Sequence, residues 1–433
     1  GPGAASAAAP RCDRAFSALL HGDSDHFFVY ALVVGHRLRA LCPGADRVLL
    51  CAGHWWQDRA ARSALRRVWT SVHFSHLIHA PHATSARRHS EVFSKIQALR
   101  LPYRQLVFLD LDLVPRRDLT PLFDVLAPAG MHHGDHRGGD QLEHGEVIET
   151  RTLEGRWWCI NAGVMRLDPA PSARARRRDV RAMVSEVKQL RYKTALPEQY
   201  FLAGRLKGWR HLSSAWNMEV GPAYEDPGFT WPREAAQKAA EAKRGRLWFQ
   251  QVIADVKVFH FSGTKMHPWL SMDKTPQEAH QEALAEWRHR DPRQLVATAV
   301  LEWRTALEEV TKEVKGWKAS ERHAVQAACG RLRRWAAWER AERREAVERT
   351  RQCRHCEGLF GEGQGRWLLG WEGWWLCHDC VVGYIFSDEE PDALRCAECG
   401  GDDGTSRTWR WTNGHPSWFC RSCWPTAPGD PDG

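Results

Sequence analysis

The sequence is poor in asparagine and lacks long apolar runs. Its 433 residues include three asparagines, and none of them begins an Asn-x-Ser/Thr sequon. The longest apolar stretch, residues 27–35, is broken by His36 and Arg37, whereas a transmembrane helix needs about 18 apolar residues or more. We therefore expect no membrane span. Missing sequons and scattered cysteines before residue 350 favour a reducing compartment, so we expect a cytoplasmic protein, with the Golgi as the alternative.

Lysine is absent from residues 351–433, which hold seven arginines and thirteen acidic residues. This tail is therefore acidic, and the rest of the chain carries a net charge of +14 within an overall +8. A basic surface suits anionic ligands such as nucleotides, although a solvated arginine-rich surface is an equally good interpretation. The acidic tail argues against nucleic acid as a partner.

The most informative stretch reads Leu-Val-Phe-Leu-Asp-Leu-Asp-Leu over residues 106–113. Four apolar residues predict a buried strand, and side chains two apart on a strand share a face. Asp110 and Asp112 should then converge past the carboxyl end of that strand, where open α/β sheets bind ligands. Converging carboxylates repel one another unless a cation lies between them, which predicts a Mn²⁺ or Mg²⁺ site. A turn, a cap or a solvated pair is the alternative for an isolated Asp-x-Asp.

Strand and helix patterns alternate before this stretch, which predicts an α/β fold with a parallel, doubly wound sheet. The predicted strands are residues 15–20, 47–51 and 72–78, and the predicted helices are residues 27–41, 59–68 and 90–101.

Residues 93–123 contain Lys95, the Asp-x-Asp pair and the turn Asp-Leu-Thr-Pro-Leu-Phe at 118–123. They resemble glycosyltransferase family 8, the glycogenin and galactinol synthase group, which has a GT-A fold. Further matching pieces follow in the family's order, so the resemblance covers roughly residues 14–270. These pieces are Asn161-Ala-Gly-Val, Glu198-Gln199, Trp216-Asn217 and His260-Phe-Ser-Gly-Thr-Lys-Met-His-Pro-Trp.

The resemblance implies a metal-dependent, retaining transferase that takes a hexosyl or related group from a UDP-linked sugar. Asp110, Asp112 and His260 would bind the catalytic metal, and an imidazole ligand favours Mn²⁺ over Mg²⁺. The acceptor would be a glycan, a polyol or a protein. The alternative function is a catalytically weak or inactive GT-A scaffold whose zinc-binding tail serves as a protein-interaction module.

The resemblance also implies contacts to the donor's phosphates. Gly263 would let the backbone approach them, and Lys265 would supply positive charge. Lys95 is a second candidate cation, for the nucleotide or the donor sugar, and a solvated helix lysine is the alternative. The sequence departs from the family here, because Met266 and His267 separate Lys265 from the Pro-Trp pair.

On the sugar side, the resemblance places Asn161 and Gly163 against the donor sugar, and Glu198 and Gln199 near its anomeric carbon. Glu198 replaces the family's usual aspartate and is one methylene longer. A carboxylate nucleophile and a same-face attack within an ion pair both remain open. Tyr224 lies near the loop in which glycogenin presents its glucosylated tyrosine, but an ordinary turn is the favoured interpretation there.

The rest of the chain predicts two further parts after a catalytic domain at residues 11–275. Residues 276–350 lack strand signals and predict a helical segment or linker, with an amphipathic helix through Val296, Val300 and Trp303. Residues 351–433 form a tandem repeat in which each cysteine lies 43 residues after its counterpart.

The repeat has the Cys-x-x-Cys spacing of paired Cys₄ zinc-ribbon units, so we expect about two structural Zn²⁺ ions. Disulfides are the competing interpretation, and ligand pairing within or between repeats stays open. The tryptophan-rich tail predicts a protein partner. The cysteines are Cys353, Cys356, Cys377, Cys380, Cys396, Cys399, Cys420 and Cys423.

Overall fold

A computed structural model describes residues 12–22, 24–80, 91–132, 142–148, 160–190, 197–220, 255–262, 267–287 and 294–348, and short strands between residues 351 and 420. The chain divides into two compact units, Gly1–Ala336 and Ala337–Gly433. Among the described helices, none is long and apolar enough to cross a bilayer.

Strands and helices alternate through the first unit. Its strands are β1 (Arg14–Leu20), β2 (Asp46–Cys51), β3 (Ser71–Phe74), β4 (Gln105–Leu109), β5 (Leu113–Pro115), β6 (Ala129–His132), β7 (Ile160–Leu167), β8 (Arg210–His211), β9 (Met218–Glu219) and β10 (Val258–His260). Its described α-helices are α1 (Asp25–Leu41), α2 (Gly53–Gln57), α3 (Arg59–Leu65), α4 (Ala173–Gln189), α5 (Pro197–Arg205), α6 (Pro276–Trp287) and α7 (Leu295–Val314), and the first part of α8 (Ala319–Glu348) also belongs to it. Short 3₁₀ helices span Val92–Arg100, Thr120–Asp124, Ser214–Trp216 and Pro268–Ser271.

The central sheet has the strand order β3-β2-β1-β4-β7-β6-β8, and a small second sheet has the order β5-β10-β9. Strands β3, β2, β1 and β4 are parallel. The predicted α/β fold with a mostly parallel sheet is confirmed. Strand β7 is the exception, because it runs antiparallel to both β4 and β6. Its amino-terminal end therefore lies beside the carboxyl end of β4.

The apolar runs of β1 and β4 follow from burial on both faces of the sheet. Phe16 of β1 and Val107 of β4 belong to one core cluster. Their chain neighbours Ala15 and Leu106 belong to the cluster on the opposite face. Alternate side chains thus enter two cores, which holds β4 rigidly up to its last residue.

Some predicted elements end at different residues. The helix predicted over 90–101 is a 3₁₀ helix, Val92–Arg100, and the strand predicted over 72–78 ends at Phe74. The helix predicted over 59–68 ends at Leu65. It begins where Asp58 accepts hydrogen bonds from the backbone N–H groups of the first helical turn, and this cap separates it from α2.

Helix α7 packs against the α/β part of the first unit. In α7, Val296, Val300 and Trp303 are buried, as their spacing predicts. Two polar contacts also anchor this helix: Glu302 forms an ion pair with Arg116 at 2.7 Å, and Glu309 contacts His36 at 3.1 Å. The boundary between the two units falls within α8. The domain limits at residues 275 and 350 stay predictions.

The second unit begins within α8, and its described residues beyond 350 form antiparallel strand pairs. Its strands are β11 (Arg351–Gln352), β12 (Leu359–Phe360), β13 (Gly365–Trp367), β14 (Trp375–Cys377), β15 (Arg407–Thr412) and β16 (His415–Cys420). Among the described strands, β13 pairs with β14 in the first repeat and β15 pairs with β16 in the second, and Cys377 or Cys420 ends the second strand of each pair. The other six tail cysteines lie outside the described residues, so the zinc site stays a prediction.

Candidate active site

The two aspartates of the Asp-x-Asp motif lie in the connection between β4 and β5. The prediction that they share a strand is wrong, because the chain leaves the central sheet after Leu109 to join the second sheet at Leu113. Backbone hydrogen bonds hold this connection on both sides. The Asp110 N–H donates to the Gly163 carbonyl at 2.8 Å, and the Asp112 carbonyl accepts from the Phe261 N–H at 2.8 Å. Each aspartate is thus fixed by a neighbouring strand or its extension.

His260 joins the two aspartates from the end of β10, which pairs with β5. Its Nε2 atom lies 3.4 Å from Oδ1 of Asp112. One potential ligand atom from each of Asp110, Asp112 and His260 lies within 4.8 Å of the others. The two carboxylates remain about a quarter exposed, so an ion from solvent can reach them. Two carboxylates and one imidazole could hold a divalent metal ion.

The charged groups of this cluster shift one another's pKa values. Burial raises the pKa of Asp110 to about 6, and the neighbouring Asp112 charge adds to that effect against the opposing charge of Lys95. Burial acts the same way on Asp112, but His260, together with His267 and Lys95, outweighs burial and lowers the pKa of that carboxyl. Burial opposes the charge of His260, whereas Asp112, together with Glu219 and Asp110, outweighs burial and raises the imidazole pKa. Asp110 is therefore the carboxylate whose charge is least compensated.

Lys95 extends from the 3₁₀ helix Val92–Arg100 into the same cluster. Its Nζ lies 2.9 Å and 3.0 Å from the two carboxylate oxygens of Asp110, and 3.4 Å from Oε1 of Glu198. Burial alone would lower the pKa of Lys95, but Asp110 and Glu198 outweigh it and raise the pKa. The ammonium group thus connects a predicted metal ligand to the predicted sugar-side carboxylate.

Glu198 and Gln199 occupy the first turn of α5 and are both buried. The side chain of Glu198 is only 7% exposed. A charged carboxylate buried to this extent needs a compensating partner, and the glutamate side chain is long enough to reach Lys95. Glu198 therefore belongs to the same charged cluster as Asp110, with Lys95 between them.

Asn161 and Gly163 lie at the start of β7, next to the aspartates. The sequence predicts contacts to the donor sugar for both, and these contacts stay a prediction. The structure places Gly163 beside His260 and Asn161 beside Asn217. A β-carbon on Gly163 would lie 2.5 Å from Cε1 and 2.8 Å from Nδ1 of His260. Asn161 is buried, and its Oδ1 accepts hydrogen bonds from the Gly163 N–H and from Nδ2 of Asn217, both at 2.8 Å. Oδ1 of Asn217 in turn lies 2.9 Å from Nδ1 of His260.

The sequence predicted no role for Asn217, although Trp216-Asn217 was one of the matching pieces.

The sequence also predicted no role for His26 and His267, whose charges interact with that of Asp112. The ring of His26 stacks on Trp269 at 5.7 Å, and Nδ1 of His267 lies 3.1 Å from the Tyr30 hydroxyl. Burial, with the charge of His267, lowers the pKa of His26 to about 4. The sequence did contain a sign that His267 matters, because Met266 and His267 are inserted into the family's Lys-Pro-Trp order.

Gly263 and Lys265, predicted to contact the donor's phosphates, lie outside the described residues, as does Tyr224. Their roles stay predictions.

No protein-family model matches the chain. A curated protein of Acanthamoeba polyphaga mimivirus, the uncharacterized protein R707, is 23% identical over 274 residues. That similarity covers 61% of this chain and 86% of the viral protein.

Two solved glycosyltransferase structures are also similar to this chain. The galactosyltransferase LgtC, in complex with donor and acceptor sugar analogues, is 19% identical with a TM-score of 0.42, covering 70% of this chain and 99% of its own. The bifunctional glycosyltransferase WbbM is 15% identical with a TM-score of 0.41, and the match covers 60% of this chain and 47% of WbbM. Similarity at this level establishes neither a family nor an activity for the chain.

Proposed function

We propose that residues 11–275 form a metal-dependent, retaining glycosyltransferase that moves a hexosyl or related group from a UDP-linked sugar to a glycan, polyol or protein acceptor. The observation that supports this most directly is the approach of Asp110, Asp112 and His260 within 4.8 Å of one another. They meet where β4 leaves the central sheet, an edge at which open α/β sheets bind ligands. The motif resemblance over residues 14–270 supports the reaction class.

Asp110, Asp112 and His260 would hold the metal, and their mixed oxygen and nitrogen donors suit Mn²⁺. A divalent ion at this position supplies Lewis-acid stabilisation to the nucleoside diphosphate that leaves during transfer. Gly263 and Lys265 would contact that diphosphate through a backbone N–H and an ammonium group.

Lys95 lies between two carboxylates, the partly exposed Asp110 and the buried Glu198. Without its charge, Asp110 and Glu198 would face the cost of burying uncompensated charge. Through this contact with Lys95, the carboxylate of Glu198 on α5 lies near the proposed metal ligand Asp110. A donor sugar would lie at the same place, within reach of Glu198 and Gln199. Both retaining routes remain compatible with that position: direct attack by Glu198, or same-face attack while Glu198 stabilises positive charge on the sugar.

The tail would act separately, as a structural zinc module with about two Zn²⁺ ions that binds a protein partner. Eight cysteines and the repeated Trp-x-Cys positions of the hairpins support this assignment.

The test is hydrolysis and transfer of UDP-linked glucose, galactose, glucuronate and xylose by the full chain with Mn²⁺. We expect turnover with one donor, and a loss of about 100-fold or more in Asp110→Asn and Asp112→Asn. Asp124→Asn is the matched control, because this carboxylate is largely exposed and pairs weakly with Arg14 at 3.8 Å.

Absence of turnover by the wild type with every donor would overturn the enzymatic proposal. Tight binding of Mn²⁺ and UDP without turnover would then identify a binding scaffold, which is the alternative function.

A further inference from the structure

A continuous chain of hydrogen bonds connects the backbone of β7 to the ring of His260. It runs from the Gly163 N–H to Oδ1 of Asn161, then to Nδ2 of Asn217, and from Oδ1 of Asn217 to Nδ1 of His260. The three distances are 2.8, 2.8 and 2.9 Å, all within normal hydrogen-bond range. All three side chains are buried, so water does not compete for these contacts.

The orientation of every group in this chain follows from its first member. A backbone N–H can only donate, so the atom of Asn161 that faces Gly163 must be the acceptor Oδ1. The same oxygen also faces Asn217, which must therefore present its donor Nδ2. The other end of that amide is then Oδ1, an acceptor, and the Nδ1 atom of His260 that faces it must carry a hydrogen.

The opposite side of the ring favours the other tautomer. Nε2 of His260 lies 3.4 Å from a carboxylate oxygen of Asp112, and a hydrogen on Nε2 would be attracted to that oxygen. A neutral histidine has one ring hydrogen, so the two sides compete for it. The contact to Asn217 is the shorter by half an ångström, and turning the Asn217 amide around would place two oxygens in contact at Asn161.

We propose that Asn217, oriented by Asn161, is a positioning residue that holds the hydrogen of neutral His260 on Nδ1. The lone pair of Nε2 then faces the carboxylates and is available to a metal ion. This inference rests on the proposed metal-dependent function and adds residues that do not touch the metal. Partners of this kind orient the ligand ring and typically change metal affinity about 10–100-fold when removed.

The first test is the tautomer itself, measured on the metal-free full chain. Long-range ¹H–¹⁵N NMR at alkaline pH distinguishes the two neutral forms, and His260→Gln identifies the signal among 22 histidines. We expect the Nδ1–H form in the wild type. Asn217→Leu and Asn161→Leu should shift the population toward Nε2–H, whereas Asn161→Asp keeps both acceptor contacts and should retain Nδ1–H.

The second test is Mn²⁺ affinity, measured by electron paramagnetic resonance without a sugar donor. Asn217→Leu should weaken binding about 10–100-fold, and Asn161→Asp should restore near-normal binding relative to Asn161→Leu. Met218→Leu is the matched control, because this buried neighbour on β9 packs in the core and makes no contact in the chain of amides.

An Nε2–H wild type, or an Asn217→Leu variant with unchanged tautomer and Mn²⁺ affinity, would overturn the inference. The NMR measurement needs neither metal nor donor, so it stays decisive if the wild type proves to bind no Mn²⁺. That separate result would overturn the proposed metal-dependent function instead.

Discussion

The imidazole ring of His260 lies directly over the α-carbon of Gly163. A β-carbon there would approach Cε1 to 2.5 Å and Nδ1 to 2.8 Å, distances that no real side-chain contact tolerates. The two residues come from strands of different sheets, and the contact brings the third potential metal ligand onto the edge where β4 ends. Glycine is therefore required at position 163 by the ring above it.

Replacing Gly163 with alanine should displace His260 and weaken Mn²⁺ binding by about 10-fold or more, because the new methyl group occupies the position of the ring. Metal titration of purified variants measures this. Gly204→Ala is the control, since a β-carbon on that helical residue meets nothing within 4 Å and should leave Mn²⁺ affinity unchanged. Equal affinities for the wild type and Gly163→Ala would show that His260 is not a ligand.

Replacing Lys95 with methionine should lower the free energy of unfolding by about 3 kcal/mol, because it leaves buried carboxylates without their cation. Urea denaturation measures the loss. Adding Glu198→Gln to Lys95→Met should recover part of it, since one of the two unpaired charges is then removed. A double variant less stable than Lys95→Met would contradict this account of the cluster.

Stability should fall as the pH drops from about 7 to about 4, in part through His26. Its folded-state pKa of about 4 lies below the usual 6.5, so the unfolded chain takes up a proton over this range and the folded chain does not. Discounting for partial exposure, the effect is about 1–2 kcal/mol.

His26→Phe keeps an aromatic ring against Trp269 and should flatten the pH dependence, measured by urea denaturation at about pH 7 and about pH 5. The matched control is His323→Gln, which alters an exposed histidine on α8. A slope unchanged in His26→Phe would assign the acid sensitivity to other groups.

Metal analysis of the full chain should find about two Zn²⁺ ions, because each repeat supplies four thiols at zinc-site spacing. Cys353→Ser and Cys396→Ser together should remove them. Retention of donor hydrolysis in that variant would separate the tail from the catalytic unit. A wild-type tail without zinc, whose thiols react only after reduction, would establish disulfides.

The part of the fold around β4 could be predicted from sequence because the signals there are local. Continuous apolar residues in 106–109 predict a doubly buried strand, and the alternation of strands with helices before it predicts parallel neighbours. The direction of β7 could not be predicted in this way, because Ile160–Leu167 is equally apolar whichever way it runs.

The candidate site was predicted in its residue types more than in its contacts. The meeting of Asp110 with Asp112 was expected from a shared strand, whereas the structure achieves it through a connection between two sheets. The role of Gly163 depends on a ring nearly a hundred positions away. Asn161 and Asn217 belong to two matching motif pieces, but no spacing along the chain predicts that their side chains meet. Such contacts depend on tertiary packing, which spacing along the chain does not encode.

Pairing of β10 with β5 and β9 also sets an order of events during synthesis of the protein. Both aspartates leave the ribosome long before His260, and the histidine reaches them only when β10 has found its partners across a large sequence separation. A nascent or truncated chain that stops before Val258 can bury β4 yet lacks the third potential ligand. The cluster of Asp110, Asp112 and His260 therefore assembles only after β10 has paired with β5.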